Sequence, residues 1–331
     1  MSKQIVGIDI GEKSLKLALW TGDRIKAVAA VDLPDNLVAE GRVLSMDVMA
    51  DLIKQTAREN GMPGGNAAMV LPAGRVFVRT LTAPAADERQ MQYNMGYIFK
   101  DYLSKNQSEY TFDYSIYELR ENEEGVAEQR FMACAVETAL IEEYRGLLKK
   151  AGFRLKCAVP PEVALSNVLR RGRPAEGKGE DICLVDLGHR ATVLHMFHDG
   201  EPAAKNSLDR GSALLDELIA NQEKVDIHMA RSYKETNYNR VLNSSACMET
   251  YRALGVDIMK AINFFNYNHP GEGIADVYLC GGGAGSDVLR KELQDILGRP
   301  VLDAGRLLKS DSAVKVSGLY LAACGCAMNE V

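Results

Sequence analysis

Three short loops hold the residues whose types and spacing suit ligand chemistry. The first is Gly7-Ile8-Asp9-Ile10-Gly11-Glu12-Lys13-Ser14. The second is Val185-Asp186-Leu187-Gly188-His189-Arg190-Ala191-Thr192, and the third is Gly281-Gly282-Gly283-Ala284-Gly285-Ser286. In the first two, an apolar run closes on Asp-x-Gly. In the third, the apolar run 276–280 opens into glycines and then a helical pattern over 287–297. Glycines let backbone approach a ligand closely, and a helix N-terminus favours anions. A single Asp-x-Gly carries no information. Two of them, at Asp9 and Asp186 and so separated by about half the chain, point to a repeat.

Other ligand patterns are absent or incomplete. A P-loop needs Gly-Lys-Ser/Thr, and no Lys follows the glycines of the third loop. A dinucleotide fingerprint needs a third glycine at position 286, which is Ser286. Asp303 does fall near the acidic ribose position of such folds, but too late in the chain to leave room for the rest of one. Seven cysteines include no CxxC, and five histidines no HExxH, so no metal motif stands out. The thiols read as buried side chains of a reducing compartment.

The repeat extends to the elements that must position these loops. After Asp9, residues 14–20 read as a strand, Thr21-Gly22-Asp23 as a turn and 25–31 as a returning strand. After Asp186, residues 191–197, His198-Asp199-Gly200 and 202–208 do the same. The turn glycines, Gly22 and Gly200, follow their aspartates at spacings that differ by a single position. A duplicated β-β-β unit follows, and with it two lobes, 1–175 and 176–331. The first lobe has more in it than the repeat needs. A helix is predicted over 87–103, strands over 110–119 and 129–136 around a polar hairpin, a helix over 137–151 ended by Gly152, and a strand over 153–159. This α-β-β-α-β insert occupies about 84–159. Its aromatic residues, Tyr93, Tyr97, Phe99, Tyr102, Tyr110, Phe112, Tyr114 and Tyr117, read mostly as core. A last helix is predicted over 313–328, packing back toward the first lobe.

Composition narrows the function classes. Lys plus Arg number 39 and Asp plus Glu 45, giving a net charge of −6, against a nucleic-acid binder. No apolar stretch reaches the ~20 residues of a membrane span. The first apolar run meets Asp9 too soon for a signal peptide. These features fit a cytoplasmic protein.

The three loops, in this order and at these separations, resemble the actin-like ATPase superfamily over nearly the whole chain. The resemblance implies an α/β fold of two duplicated RNase H-like lobes with a nucleotide cleft between them, and ATP with Mg²⁺ as ligands. Asp9, Gly11, Lys13 and Ser14 match its first phosphate loop, and Asp186, Gly188 and Thr192 its second. Gly281, Gly282 and Gly283 match the turn under the adenosine. Lys16, on the strand after Asp9, matches a lysine that supplies charge to the phosphates. Gly211 and Lys234 fall where the family meets the nucleotide again. Asp9 and Asp186 are the implied Mg²⁺ carboxylates, acting through water because Mg²⁺ keeps much of its hydration shell.

Within the superfamily, the α-β-β-α-β insert resembles the subdomain called 1C, which the FtsA and PilM branches share. The runs Leu147-Leu148-Lys149-Lys150-Ala151-Gly152-Phe153, Pro161-Glu162-Val163-Ala164-Leu165 and 211–219 resemble the PilM-like family of type IV pilus assembly proteins. That resemblance implies an ATP-binding adaptor on the cytoplasmic face of the inner membrane. It would bind the short cytoplasmic tail of a bitopic, PilN-like membrane protein beside 1C and reach the membrane only through that partner; self-association is left open. An FtsA-like division or secretion adaptor is the nearest alternative, although residues 326–331 lack the amphipathic tail of FtsA. A sugar kinase of the superfamily is the competing class, weakened by the missing Cys-x-Cys-Gly cluster. Two departures bear on catalysis. The family's Glu-Pro-x-Ala-Leu reads Pro161-Glu162-Val163-Ala164-Leu165, which leaves Glu162 as a displaced candidate for orienting water. Its Ala-Glu-x-x-Lys reads Ala230-Arg231-Ser232-Tyr233-Lys234, with the charge reversed at Arg231. The expectation is a slow ATPase at most.

Overall fold

The computed structural model describes residues 4–171, 181–269 and 273–329. Two compact units emerge. The first takes the chain up to Gly22, Ala27–Ala164 and the residues from Ala322 on; the second takes Asp23–Lys26 and Leu165–Leu321. The lobe boundary expected at 175/176 lies outside the described residues, and the units divide earlier, at Ala164/Leu165.

The first unit opens with β1 (Ile5–Ile10), β2 (Ser14–Trp20) and β3 (Ile25–Asp32). A small ribbon of β4 (Val38–Ala39) and β5 (Arg42–Val43) leads to α1 (Met46–Glu59) and β6 (Gly65–Val70). Then come β7 (Val76–Pro84), α2 (Glu88–Ile98), β8 (Tyr110–Glu121), β9 (Ala127–Glu137), α3 (Thr138–Lys150) and β10 (Phe153–Val159). The main sheet runs β10-β6-β1-β2-β3. β1 is central, which is why it reads as a nearly unbroken apolar run. Val6, Ile8, Leu15 and Leu17 of this sheet share one core with Met49 and Ile53 of α1 and Tyr144, Leu147 and Leu148 of α3.

The five elements read as an insert occur in the order expected, but they divide between two sheets. β8 and β9 join β7 in a separate sheet of order β7-β9-β8, whereas β10 is an edge of the main sheet and α3 packs in the main core. The appended piece is therefore β7, α2, β8 and β9. α2 starts at a capping box between Asp87 and Gln90 and lays Met91, Met95 and the following Phe99 on Phe131, Ala133 and Ala135 of β9. α2 ends at Ile98, short of 103. Phe99 is drawn fully into this small core, and Gln107 Nε2 returns to donate to the Gly96 carbonyl at 3.0 Å.

After α4 (Pro161–Arg171), the second unit repeats the first: β11 (Ile182–Leu187), β12 (Thr192–His198) and β13 (Glu201–Leu208). These are followed by α5 (Ala213–Glu223), α6 (Ile227–Thr236), α7 (Ser245–Asn268), β14 (Asp276–Cys280), α8 (Asp287–Leu297) and β15 (Val301–Asp303). Its sheet order, β13-β12-β11-β14-β15, is that of the first sheet with β11 in the place of β1 and β14 and β15 in the places of β6 and β10. In both sheets the first strand pairs antiparallel with the second and parallel with the fourth.

The final helix, α9, spans only Leu321–Ala327. Residues 313–317 are held out of it by local demands within the second unit. Asp303 Oδ1 accepts the N–H groups of Gly305 at 2.7 Å and Gly318 at 2.9 Å, and the Gly318 backbone lies tight against the Leu279 carbonyl. This is a structural use for the one acidic residue at dinucleotide-fold spacing. The residues from Ala322 belong to the first unit, where α9 packs on β1 so closely that a Cβ on Gly7 would lie 1.9 Å from the Ala323 carbonyl oxygen. The sequence Leu-Ala-Ala-Cys-Gly-Cys-Ala of α9 has the small side chains that this approach demands. Cys324 and Cys326 are fully buried there, and burial pushes both thiols well up. All seven cysteines are free thiols. Among the described residues, no helix is long and apolar enough to cross a membrane.

Candidate functional site

In the first unit, the β1–β2 hairpin sets Asp9 directly across from Lys16. Their spacing in sequence is thus a cross-strand pair, and Lys16 Nζ donates to Asp9 Oδ2 at 3.2 Å with Lys16 buried. The turn closes through Gly11 N donating to the Ser14 carbonyl at 3.0 Å. A side chain at Gly11 would meet Lys16 Nζ at 2.9 Å, so this glycine leaves room for the ammonium. Lys13 is directed elsewhere and pairs with Asp35 at 3.1 Å.

In the second unit, Asp186 faces Val193 across the hairpin, so its carboxylate has no lysine at the equivalent place. Gly281 takes its position instead: its φ is +81°, and a Cβ there would lie 2.2 Å from Asp186 Oδ1. Gly283 N donates to the Leu187 carbonyl at 3.0 Å, fastening the glycine turn to the second loop. Gly211 presses on the same loop, since a Cβ would lie 2.2 Å from the His189 carbonyl oxygen. Ser212 N and Ala213 N, at the start of α5, donate to the Gly188 and His189 carbonyls at 3.0 and 2.9 Å. The Thr192 hydroxyl is buried and donates to the Arg210 carbonyl at 2.6 Å, so it braces the hairpin.

These contacts surround a cavity of about 420 Å³ wholly within the second unit, in the range of small-molecule sites. Gly188, Thr192, Gly211, Lys234, Gly282 and Gly283 all line it. Leu215, Leu242, Tyr251 and Leu254 supply apolar surface suited to a flat ring. Gly282 and Gly285 face open space, with nothing within 4 Å of where a Cβ would stand, so their backbone is open to a ligand. Burial pushes the Tyr251 phenol up to about 12, which keeps it a hydroxyl at neutral pH.

Lys234 does not stand alone. Its Nζ lies 2.6 Å from Oδ1 of Asp216, and Arg231 Nε lies 3.8 Å from Oδ2 of the same carboxylate. Asp216 is 1% exposed, on the first turn of α5, and balances both cations. Arg231 is therefore turned into this ion pair and is not among the cavity-lining residues. Sequence reasoning missed Asp216 because it lies on a different helix from its lysine, with no motif joining the two. It also missed Tyr251, which reads as one more apolar position of a long amphipathic helix.

The sequence's site residues thus fall into three places. Asp9, Gly11, Ser14 and Lys16 meet at the first hairpin, with Lys13 beside it. Asp186 and Gly281 adjoin the cavity lined by the remaining second-unit residues. Glu162 belongs to a third setting, 5% exposed in the first turn of α4 and near enough to Cys134 to help raise that thiol, which burial and Asp113 also push to about 12. Among the described residues, no group of three or more His, Cys, Asp or Glu could hold a metal ion, so any cation here would rest on single carboxylates and water.

Two copies of one five-strand order, each ending its first strand in Asp-x-Gly, with a glycine turn over a cavity in the second, define an actin-like ATPase fold. The sequence matches the family described as "Type IV pilus assembly protein PilM" over residues 7–331, and the chain belongs to that family. The structure is similar to that of a PilM-PilN type IV pilus biogenesis complex (TM-score 0.82, 22% identity, 99% of this chain and 98% of that one). It is also similar to the ethanolamine utilization protein EutJ from Carboxydothermus hydrogenoformans (TM-score 0.61, 16% identity, 99% and 90% covered). No curated protein matches the sequence.

Proposed function

We propose that this pilus assembly protein is a nucleotide-controlled scaffold that takes ATP with Mg²⁺ and docks a membrane partner on its first unit. The cavity of the second unit carries the nucleotide part: apolar surface for a base, open backbone at Gly282 and Gly285, and the phosphate-loop residues gathered at one side. Asp9 and Asp186, each at the end of the first strand of its own sheet, are the proposed carboxylates for hydrated Mg²⁺. Lys16 is the proposed phosphate cation. Bound Mg²⁺ would supply positive charge to the phosphates. The burial of Glu162 near Cys134 supports a ligand that sets conformation over one that is rapidly hydrolysed.

Calorimetry with ATP, with and without Mg²⁺, tests this. Asp9→Ala is expected to weaken Mg-ATP about tenfold or more, ~1.4 kcal/mol. The same change frees Lys16 from its ion pair, so metal-free ATP should bind as well as before or better. Equal losses with and without Mg²⁺ would remove Asp9 from the metal site, and no binding by the wild type would end the nucleotide reading.

The partner is proposed to be a PilN-like bitopic inner-membrane protein, bound through its short cytoplasmic tail, which would bring this chain to the inner face of the membrane. The similar solved structure is named as a complex of PilM with PilN. On this chain, α2 holds Tyr93 and Tyr97 one helical turn apart, 86% and 78% exposed, while Phe99 and Tyr110 are buried. A shallow groove lined by Pro84, Arg89 and Tyr93 runs beside them. Exposed paired aromatics are typical interface anchors. A Tyr93→Ala/Tyr97→Ala double variant is expected to lose about tenfold or more in affinity for the partner's tail peptide, with its melting temperature unchanged. Full retention of binding would place the partner on another face.

A further inference from the structure

α6 is held to the second unit by little apolar contact. Of its 10 residues only Ala230 is buried. Its ties are charged and local instead: Arg231 and Lys234 share Asp216 of α5, and Lys234 donates to the Ser212 carbonyl at 3.3 Å. Segments with few buried apolar contacts are the ones that open most readily in a folded protein.

Both ends of this helix pass through left-handed backbone. Lys224, before it, has φ +54°; Asn237, Asn239 and Arg240, after it, have φ +47°, +48° and +59°. Among the described residues of the second unit, the other non-glycine residue with positive φ is Asp199, in a hairpin turn. Such conformations cost energy in residues that carry a Cβ and persist where their surroundings hold them. Here the hold is local. Asn237 Oδ1 accepts the Leu242 N–H at 3.1 Å, and the Tyr233 and Tyr238 rings stack with centroids 4.5 Å apart. Beyond the turn, Val241 and Leu242 are fixed in the core. A weakly anchored helix between two short stretches able to absorb a large change of φ and ψ has the build of a hinged element.

The helix also forms part of the cavity wall. Lys234 and Asn237 line it from α6 and its turn, Leu254 from α7 and Leu289 from α8. A ligand that touches both sets gains contacts only while α6 is in place, and by that difference in affinity it favours this position.

We infer that α6 is a lid on the cavity, hinged at Lys224 and at residues 237–240, which a bound nucleotide holds closed. This rests on the nucleotide reading given above. The conformation with Lys234 on Asp216 is the closed one, and the left-handed turn is its strained latch.

Hydrogen exchange of the full chain, with and without Mg-ATP, reads the lid directly. Amides of 225–240 are expected to exchange much faster than those of α7 without nucleotide and to slow about tenfold or more with it. Arg240 sets the latch without touching the ligand: it is exposed and does not line the cavity. Arg240→Val puts a β-branched residue at a left-handed position and should weaken Mg-ATP about tenfold by depopulating the closed form, whereas Arg240→Gly should bind at least as well as the wild type. A fixed wall would instead change only the melting temperature. If Mg-ATP binds but leaves exchange in 225–240 unchanged, or both variants bind like the wild type, the lid falls while nucleotide binding stands. If the wild type binds no nucleotide, both fall.

Discussion

Gly7→Ala is expected to be among the most damaging single substitutions in the chain, although it adds one methyl group to a strand. The new Cβ would lie 1.9 Å from the Ala323 carbonyl oxygen and 2.9 Å from Ala327 Cβ. Both obstacles are rigid, one backbone and the other a side chain with no rotamer to change. Either α9 lifts from β1 or the central strand shifts, and β1 is tied on both sides, to β2 and to β6. Overpacking of this kind costs about 3 kcal/mol or more. At ~2–4 °C per kcal/mol, the melting temperature should fall by roughly 6–12 °C. Gly146→Ala is the control: it lies inside α3 with nothing within 4 Å of its Cβ position and should be neutral or stabilising. If Gly7→Ala melts like the wild type, α9 does not pack on β1 as described.

Asp216→Ala should cost about 3 kcal/mol, because breaking a buried pair from one side is far worse than replacing the pair. The carboxylate is 1% exposed and is the shared counter-charge of Lys234, at 2.6 Å, and Arg231, at 3.8 Å. Removing it leaves two partly buried cations without the carboxylate they share. The cavity should suffer as well, because Lys234 loses the contact that fixes it. Urea unfolding and ATP titration together measure this. A second substitution, Arg231→Met, should restore part of the lost stability in Asp216→Ala by removing one unmatched charge. A single variant as stable as the wild type would show that the pair contributes nothing.

Much of this architecture could be read from the sequence because repetition is visible without knowing contacts. Two Asp-x-Gly strands with matching hairpins led to two sheets of the same strand order, and Asp9 and Lys16 came together because antiparallel register turns their odd spacing into a direct cross-strand pair. Long-range partition was not legible. The run from 84 to 159 gives the right elements, but nothing local says that β10 returns to the main sheet while β9 pairs with β7, since that depends on which partners a strand meets far along the chain. Helix ends failed for a similar reason. α2 stops where Phe99 finds a core, and α9 starts late because Gly318 is held by Asp303, a pairing that no local periodicity reveals. At the site, glycines and aspartates stood out by motif. Asp216 did not, because its role arises from burial and pairing, which depend on how α5 and α6 pack.

The packing of α9 on β1 also sets a schedule for synthesis. Gly7 and Ala323 lie near opposite ends of the chain. At ~5–20 residues per second, the ribosome needs roughly 15–60 s after making β1 to produce the helix that covers it. Until then the face of the central strand on which α9 packs is bare. The unit whose residues are translated first is therefore the one whose core is completed last. During that wait its open face is available to chaperones, and a released chain ending before residue 321 would hold all the strands of both five-stranded sheets but leave one face of the first uncovered.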